Sequence, residues 1–207
     1  MNLLVFSDLH CDVAAARRLT AHASEVDVLV GAGDFASVRQ NLSACLDVLR
    51  ASGRPMVFVA GNNETTDELR KACEGWPDTH VLHGSGVTIG AVPFFGLGGG
   101  VPVTPFGSWS YDLTEPEAEG LLKPCPTGAV LVSHSPPFGY CDKSSRGDSL
   151  GSRAVLNAIK QYQPQLVVCG HIHGSAGSIA KVNDTTIINA GPSGRVIEVS
   201  PSCNGVL

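Results

Sequence analysis

Five short stretches of this 207-residue chain carry side chains that bind metal ions. Asp8 and His10 lie in SDLH, Asp34 in GAGD, Asn62 in GNNE, His134 in VSHSPP, and His171 and His173 in GHIHG. All seven offer nitrogen or oxygen donors and none is a thiolate, a set that suits divalent cations. Seven donors are more than one ion needs, so the pattern fits two ions sharing a bridging carboxylate. Taken singly, each piece has an ordinary explanation, and a lone His134 is more often a hydrogen-bonded histidine than a ligand. The joint pattern is harder to dismiss, because four of the seven histidines follow apolar runs, in company with Ser, Asp or Gly. His22, His80 and His83 lack that setting and read as surface or packing residues.

Those motifs need elements to position them. Apolar runs rich in Val, Leu and Phe occupy 3–6, 26–30, 56–60, 129–132 and 166–169, and each stops just before one of the five motifs. Continuous rather than alternating hydrophobicity predicts strands buried on both faces. In a sheet of parallel strands the carboxyl ends share one edge, where ligands collect. Segments 12–23 and 41–52 have apolar positions at helical spacing. A third helix over 152–162 has Ser152 as N-cap and Pro164 just past its end. A helix-like segment also follows GNNE. Over 79–105 the texture changes to short strands separated by glycines (HVLHG, VTIGA, VPFFGLG), as in antiparallel pairs; TIINA and RVIEVS look similar. The fold class expected is α/β, with two mixed sheets packed face to face and helices outside, in a single domain spanning 1–207. Loops 98–113 and 136–151 exceed the usual connection length, which suggests binding or lid roles.

Composition narrows the partners. With 43% hydrophobic and 16% charged residues the chain is not disordered. A net charge of −5 argues against tight binding along a nucleic-acid backbone, while leaving room for a small phosphorylated substrate. Seven cysteines without a C-x-x-C pair read as reduced thiols rather than a disulfide framework or a structural zinc site. No apolar stretch approaches the ~20 residues of a membrane span, and the first apolar run is too short for a signal peptide. A cytoplasmic location is expected.

In order and spacing, SDLH, GAGD, GNNE, VSHSPP and GHIHG resemble the motif series of the calcineurin-like metallophosphoesterases, across residues 8–173. The loops GLGGGVPVTPFG and SHSPPFGYCD also resemble small prokaryotic members of that family. The resemblance implies a four-layer α-β-β-α sandwich of two mixed sheets between helices. It implies that Asp8, His10 and His173 hold a first metal, that Asn62, His134 and His171 hold a second, and that Asp34 bridges them. The ions usual in the family are Mn, Fe, Zn, Ni or Co. The activity implied is hydrolysis of phosphate esters by a hydroxide bridging the two ions and held at Asp34, with no side-chain nucleophile. A nuclease on short or single-stranded nucleic acid is one alternative, against which stand the acidic balance and the lack of an aromatic-and-basic stretch. A non-catalytic metal-binding interaction module on the same fold is another.

Two rival motifs carry less weight. GAGDFA (31–36) loosely matches a dinucleotide-binding turn, but the acidic ribose partner about 20 residues on is missing. GDSLG (147–151) matches a nucleophile elbow, yet polar residues stand where a strand should, and no acid lies between Ser149 and His173. Lys143 and Arg146 in that loop are candidate substrate contacts. The family pattern is broken at Asn63, where relatives carry a histidine that contacts phosphate and protonates the leaving oxygen. An amide can donate a hydrogen bond there but cannot deliver a proton. That departure points to a phosphodiesterase rather than a general monoesterase. Glu64 is expected to support the site rather than react, and Ser37 stands where some members carry a second acid.

Overall fold

In the computed structural model, which describes residues 1–201, the apolar runs become the central strands of two sheets. Cys203, counted above among the reduced thiols, lies outside the described residues. The first sheet contains β1 (Asn2–Phe6), β2 (Val28–Gly31), β3 (Met56–Phe58), β4 (Thr79–Val81) and β11 (Arg195–Glu198), in the order β11-β1-β2-β3-β4. The second contains β5 (Ser85–Ile89), β6 (Val92–Leu97), β7 (Val130–Ser133), β8 (Leu166–Cys169), β9 (Ile179–Val182) and β10 (Thr185–Asn189), ordered β5-β6-β7-β8-β10-β9. Both are mixed. Strands β1 to β4 run parallel with β11 antiparallel on the edge, and β6, β7, β8 and β10 run parallel between antiparallel β5 and β9.

Strand periodicity explains the layers. Successive side chains point to opposite faces, so a strand that is apolar throughout serves two cores. Leu3, Val5, Val28, Val30 and Val57 face Phe94, Val130, Val132, Val168 and Ile188 across the sheet-sheet interface. Their neighbours Leu4, Phe6, Leu29, Met56 and Phe58 point the other way. There they meet α1 (Val13–Ala21), α2 (Leu42–Arg50) and α3 (Thr66–Ala72), through Leu19, Leu46, Leu49 and Leu69. On the far side Phe95, Leu131, Val167 and Ile187 pack on α4 (Glu115–Leu122) and α5 (Arg153–Tyr162), through Leu122, Val155 and Ile159. The four-layer sandwich follows.

Some local expectations need correction. β4 is not part of an antiparallel hairpin: α3 carries the chain back, and β4 lies parallel to β3. Only β5 and β6 form the antiparallel pair expected in that region. TIINA becomes β10, parallel to β8 and antiparallel to β9, a strand the sequence reading did not anticipate. RVIEVS supplies β11 on the opposite sheet. Helix α4 was also missed, although its start is written in the sequence. Thr114 caps the Glu117 amide while the Glu117 side chain takes the Thr114 N–H, a reciprocal pair. Ser152 caps α5 as expected. The six described cysteines are all free thiols, and among the described residues no helix is long and apolar enough to cross a membrane.

Phe58 is fully buried, 4.9 Å centroid to centroid from Phe35 and edge-on to Phe6. Phe58→Ala should therefore lower the unfolding free energy by about 3–5 kcal/mol. The expected reading is a lower urea midpoint with an unchanged slope; an unchanged midpoint would show that this core does not sustain the fold.

Candidate metal centre

The carboxyl ends of β1, β2 and β3 in one sheet and of β7 and β8 in the other open onto the same cleft. Beyond the strands the first two loops stay zipped together, with the Asp8 and His10 amides donating to the Gly33 and Asp34 carbonyls at 2.9 Å each. Asp8, His10, Asp34 and His171 all adopt positive φ (55°, 43°, 57° and 66°). Non-glycine residues avoid that region, and such strain gathers where a site dictates side-chain direction. Gly61 and Gly170 allow the close approach: a Cβ on Gly61 would collide with the Asp34 carboxylate, and one on Gly170 with that of Asp8.

Asp34, 2% exposed, stands in the middle. Its Oδ2 is 3.6 Å from His10 Nε2, and its Oδ1 is 3.5 Å from His134 Nε2. On the first side His173 Nε2 lies 3.1 Å from His10 Nε2 and 3.6 Å from Asp8 Oδ1. Ligand atoms of Asp8, His10, Asp34 and His173 all fall within 4.8 Å of one another, a group that could hold a metal ion. On the second side His134 Nε2 lies 3.3 Å from Asn62 Oδ1, and the His134 and His171 rings are 4.9 Å apart. All seven residues read as ligands thus come together around one carboxylate.

The second side can be tested chemically. His134 Nδ1 sits 2.7 Å from the Ala32 carbonyl, so Nδ1 carries the proton and donates it there. A neutral imidazole has only one N–H, so Nε2 presents a lone pair. Asn62 Nδ2 donates to Ser110 Oγ at 2.9 Å, which turns the amide oxygen toward His134. With Asp34 ionised, three lone pairs, on His134 Nε2, Asn62 Oδ1 and Asp34 Oδ1, converge with no hydrogen between them. A cation resolves that arrangement, so the donor set fits a divalent metal.

Electrostatics agree. Burial pushes the Asp34 carboxyl up to about 7, and the Asp8 charge adds to the effect. Asp8 itself is also buried, but hydrogen bonds to His173 and from Ser7 outweigh desolvation and hold it at about 2. Burial pulls His171 down to about 3, leaving a neutral imidazole. Glu64, 1% exposed, accepts from the Asp34 and Gly61 amides on one oxygen and the Ala36 amide on the other. Burial and the Asp34 charge still push it up to about 7. It ties the β2 and β3 loops together, as expected of a supporting residue.

Other residues fall in less expected places. Asn63 lines the cleft, but its side chain is engaged: Nδ2 donates to Asp34 Oδ2 at 2.7 Å and Oδ1 accepts from Val38 N at 2.8 Å. It holds Asp34 as well as lining the cleft. The structure does not bring Lys143 or Arg146 to the cleft; both are exposed, and the intervening Ser144 and Ser145 line the wall instead. The glycines of GAGDFA do not open a helix, since α2 begins only at Leu42, and Ser149 lies in a loop bridged to Lys143. His83 is a packing residue, accepting from the Gly98 amide.

Sequence reasoning missed several supports. Ser7 donates to Asp8 Oδ2 at 2.6 Å. Asn189 Nδ2 lies 3.1–3.2 Å from the carbonyls of Cys141, Gly170 and Ile172, pinning the GHIHG loop. Both are single buried polar residues at strand ends, a signal too common to single out. Phe106 and Trp109 stack at 5.7 Å beside the cleft, where the sequence reading expected no stacking platform.

The sequence profile of calcineurin-like phosphoesterases matches residues 1–175. A UPF0046 protein of Caenorhabditis elegans is 30% identical over 197 residues, covering 84% of this chain and 66% of that protein. The chain thus spans just under two thirds of the length of that relative. TT1561 of Thermus thermophilus superposes with a TM-score of 0.75 at 18% identity, covering 93% of this chain and 90% of that one. A protein from Danio rerio described as a dimetal phosphatase superposes with a TM-score of 0.61 at 13% identity, covering 93% and 89%.

The raised carboxyls of Asp34 and Glu64 set a sign. Their stabilising contribution is complete below an ordinary carboxyl value of about 4 and is lost as pH rises through about 7. Metal binding must displace the proton on Asp34. Depressed His171 works the other way up to about 6.5, as one group against two. The metal-free protein should therefore still lose thermal stability from pH 5 to pH 8, and added Mn should raise its melting temperature more at pH 8 than at pH 5. An equal shift at both values would contradict this electrostatic account.

Proposed function

The chain belongs to the calcineurin-like phosphoesterase family, and on that premise we propose that it is a dinuclear phosphodiesterase. The observation that carries this reading is the position of Asp34, each of whose oxygens faces a separate cluster of donors. Asp8, His10 and His173 would hold one ion and Asn62, His134 and His171 the other, with Asp34 shared. Two divalent ions bound there supply Lewis acidity, lowering the pKa of water and neutralising phosphoryl charge.

The protein's own residues do the rest. The Ala32 carbonyl holds the proton of His134 on Nδ1, which keeps the liganding nitrogen bare. Ser110 keeps the oxygen of Asn62, rather than its NH2, turned inward. Asn63 and the Gly61 turn fix Asp34 in its place between the clusters.

Diester preference has two supports. Asn63 cannot supply the proton that an alkoxide leaving a monoester requires, and its amide is shared with Asp34. No lysine or arginine is among the described residues lining the cleft, which suits a singly charged diester better than a monoester dianion. The same lack of cationic lining weighs against a nuclease, whose affinity would come largely from phosphate contacts.

Purified protein loaded with Mn should hold about two ions per chain and turn over bis(4-nitrophenyl) phosphate faster than 4-nitrophenyl phosphate. Absence of both metal binding and turnover would sink the enzyme reading. Asn63→His should raise turnover of an alkyl phosphate monoester, whose leaving alkoxide needs a proton, relative to turnover of bis(4-nitrophenyl) phosphate, and an unchanged ratio would refute the account of that position.

A further inference from the structure

The cleft, about 780 Å3 in volume, has two unlike halves. One is the polar cluster around Asp34. The other is an apolar wall carried mainly by the loop after β6, in which Val103 is 58% exposed and Phe106 51% exposed, with Leu150 49% exposed on the facing loop. Large apolar side chains left this open in a cleft are a binding signal rather than packing. Phe106 and Trp109 stack on one another, 15° from parallel, so each ring braces the other while the half-exposed Phe106 keeps a flat ring face open.

This wall is built into the metal centre. Thr104 and Ser110, at the two roots of the loop tip, are tied by Asp112, which accepts from the Thr104 amide and hydroxyl and from Ser110 Oγ. Ser110 is the residue that accepts from Asn62 Nδ2. The Tyr111 amide also donates to the Asn62 carbonyl at 2.9 Å. Arg39, paired with Glu68 at 2.7 Å, reaches the Trp109 carbonyl at 3.4 Å, so its charge is turned to holding the loop. The flat face and the liganding amide are therefore held by one hydrogen-bonded unit.

We propose that this wall is the subsite for the organic group of the substrate, and that it selects a flat, uncharged ring over a small alkyl or a charged group. The inference rests on the phosphoesterase reading and sharpens it. A phosphoryl group placed at the polar cluster leaves its ester substituent beside the wall, and the absence of lysine and arginine from the described lining leaves nothing there to attract a second anion. Stacking on an aromatic face is sequence- and substituent-tolerant because every flat ring offers a π-face.

Binding of non-hydrolysable phosphonates to the Mn-loaded protein, followed by titration calorimetry, tests this without depending on turnover. Phenylphosphonate should bind about tenfold more tightly than methylphosphonate, as expected for one stacked ring, with cyclohexylphosphonate between them. Phe106→Ser should erase most of the phenyl-over-methyl preference. Phe106→Leu, which keeps an apolar side chain without the flat face, should erase the phenyl-over-cyclohexyl difference. An adenine-bearing alkylphosphonate in the same series shows whether a purine or a simple aryl ring gains more; a gain over methylphosphonate from either ring supports the subsite. Equal affinity of all these phosphonates for the parent protein overturns it, as does a phenyl preference that survives Phe106→Ser. In both cases metal-dependent methylphosphonate binding would leave the phosphoesterase reading standing. Failure of every phosphonate to bind the metal-loaded protein would bring down both.

Discussion

Three lone pairs that face one another, with no hydrogen between them once Asp34 is ionised, are the constraint on which this structure turns. His134 is completely buried, its Nδ1 proton is committed to the Ala32 carbonyl, and its Nε2 faces the oxygens of Asn62 and Asp34. Donor atoms so placed repel unless positive charge sits among them. On the other side of Asp34, two imidazole nitrogens 3.1 Å apart can share at most one proton. The fold holds these groups together against their own preference, and it does so from both sheets at once.

That requirement accounts for features that otherwise look like isolated oddities. Asp8, Asp34 and His171 are bent into left-handed backbone, and Gly61 and Gly170 leave no room for a Cβ against the two carboxylates. Hydrogen bonds cross from one sheet to the other at the site: the His171 amide donates to Asp8, and His134 to Ala32. Glu64 gathers three backbone amides of the β2 and β3 loops beneath Asp34. A site assembled from the ends of five strands needs such ties, because each loop alone would relax away from the others.

Much of this was legible in the sequence because it is written in short, local patterns. Runs such as Leu3–Phe6 and Leu166–Cys169 are apolar at every position, which demands cover on both faces and thus the four layers. The seven donors stand directly after those runs, so parallel strands bring them to one edge of each sheet and the face-to-face packing of the sheets joins the two edges. What escaped notice depends on contacts distant in sequence. Nothing local distinguishes Ser110 as the residue that orients Asn62, 48 positions away, or Phe106 and Trp109 as a wall of the cleft. Lys143 and Arg146 had the charge for phosphate, but their loop turns Ser144 and Ser145 inward. The start of α4 at Thr114 is written locally too, in its T-x-x-E spacing.

Asn63 ties the account together, since it faces the cleft and also hydrogen-bonds the carboxylate that both donor clusters share. The central claim is that this carboxylate separates two metal sites. Anomalous diffraction from Mn-loaded crystals tests it most directly. The account predicts two peaks flanking Asp34, one against Asp8, His10 and His173 and one against Asn62, His134 and His171. A single peak, or peaks that leave the three converging lone pairs around His134 without an ion, would contradict it.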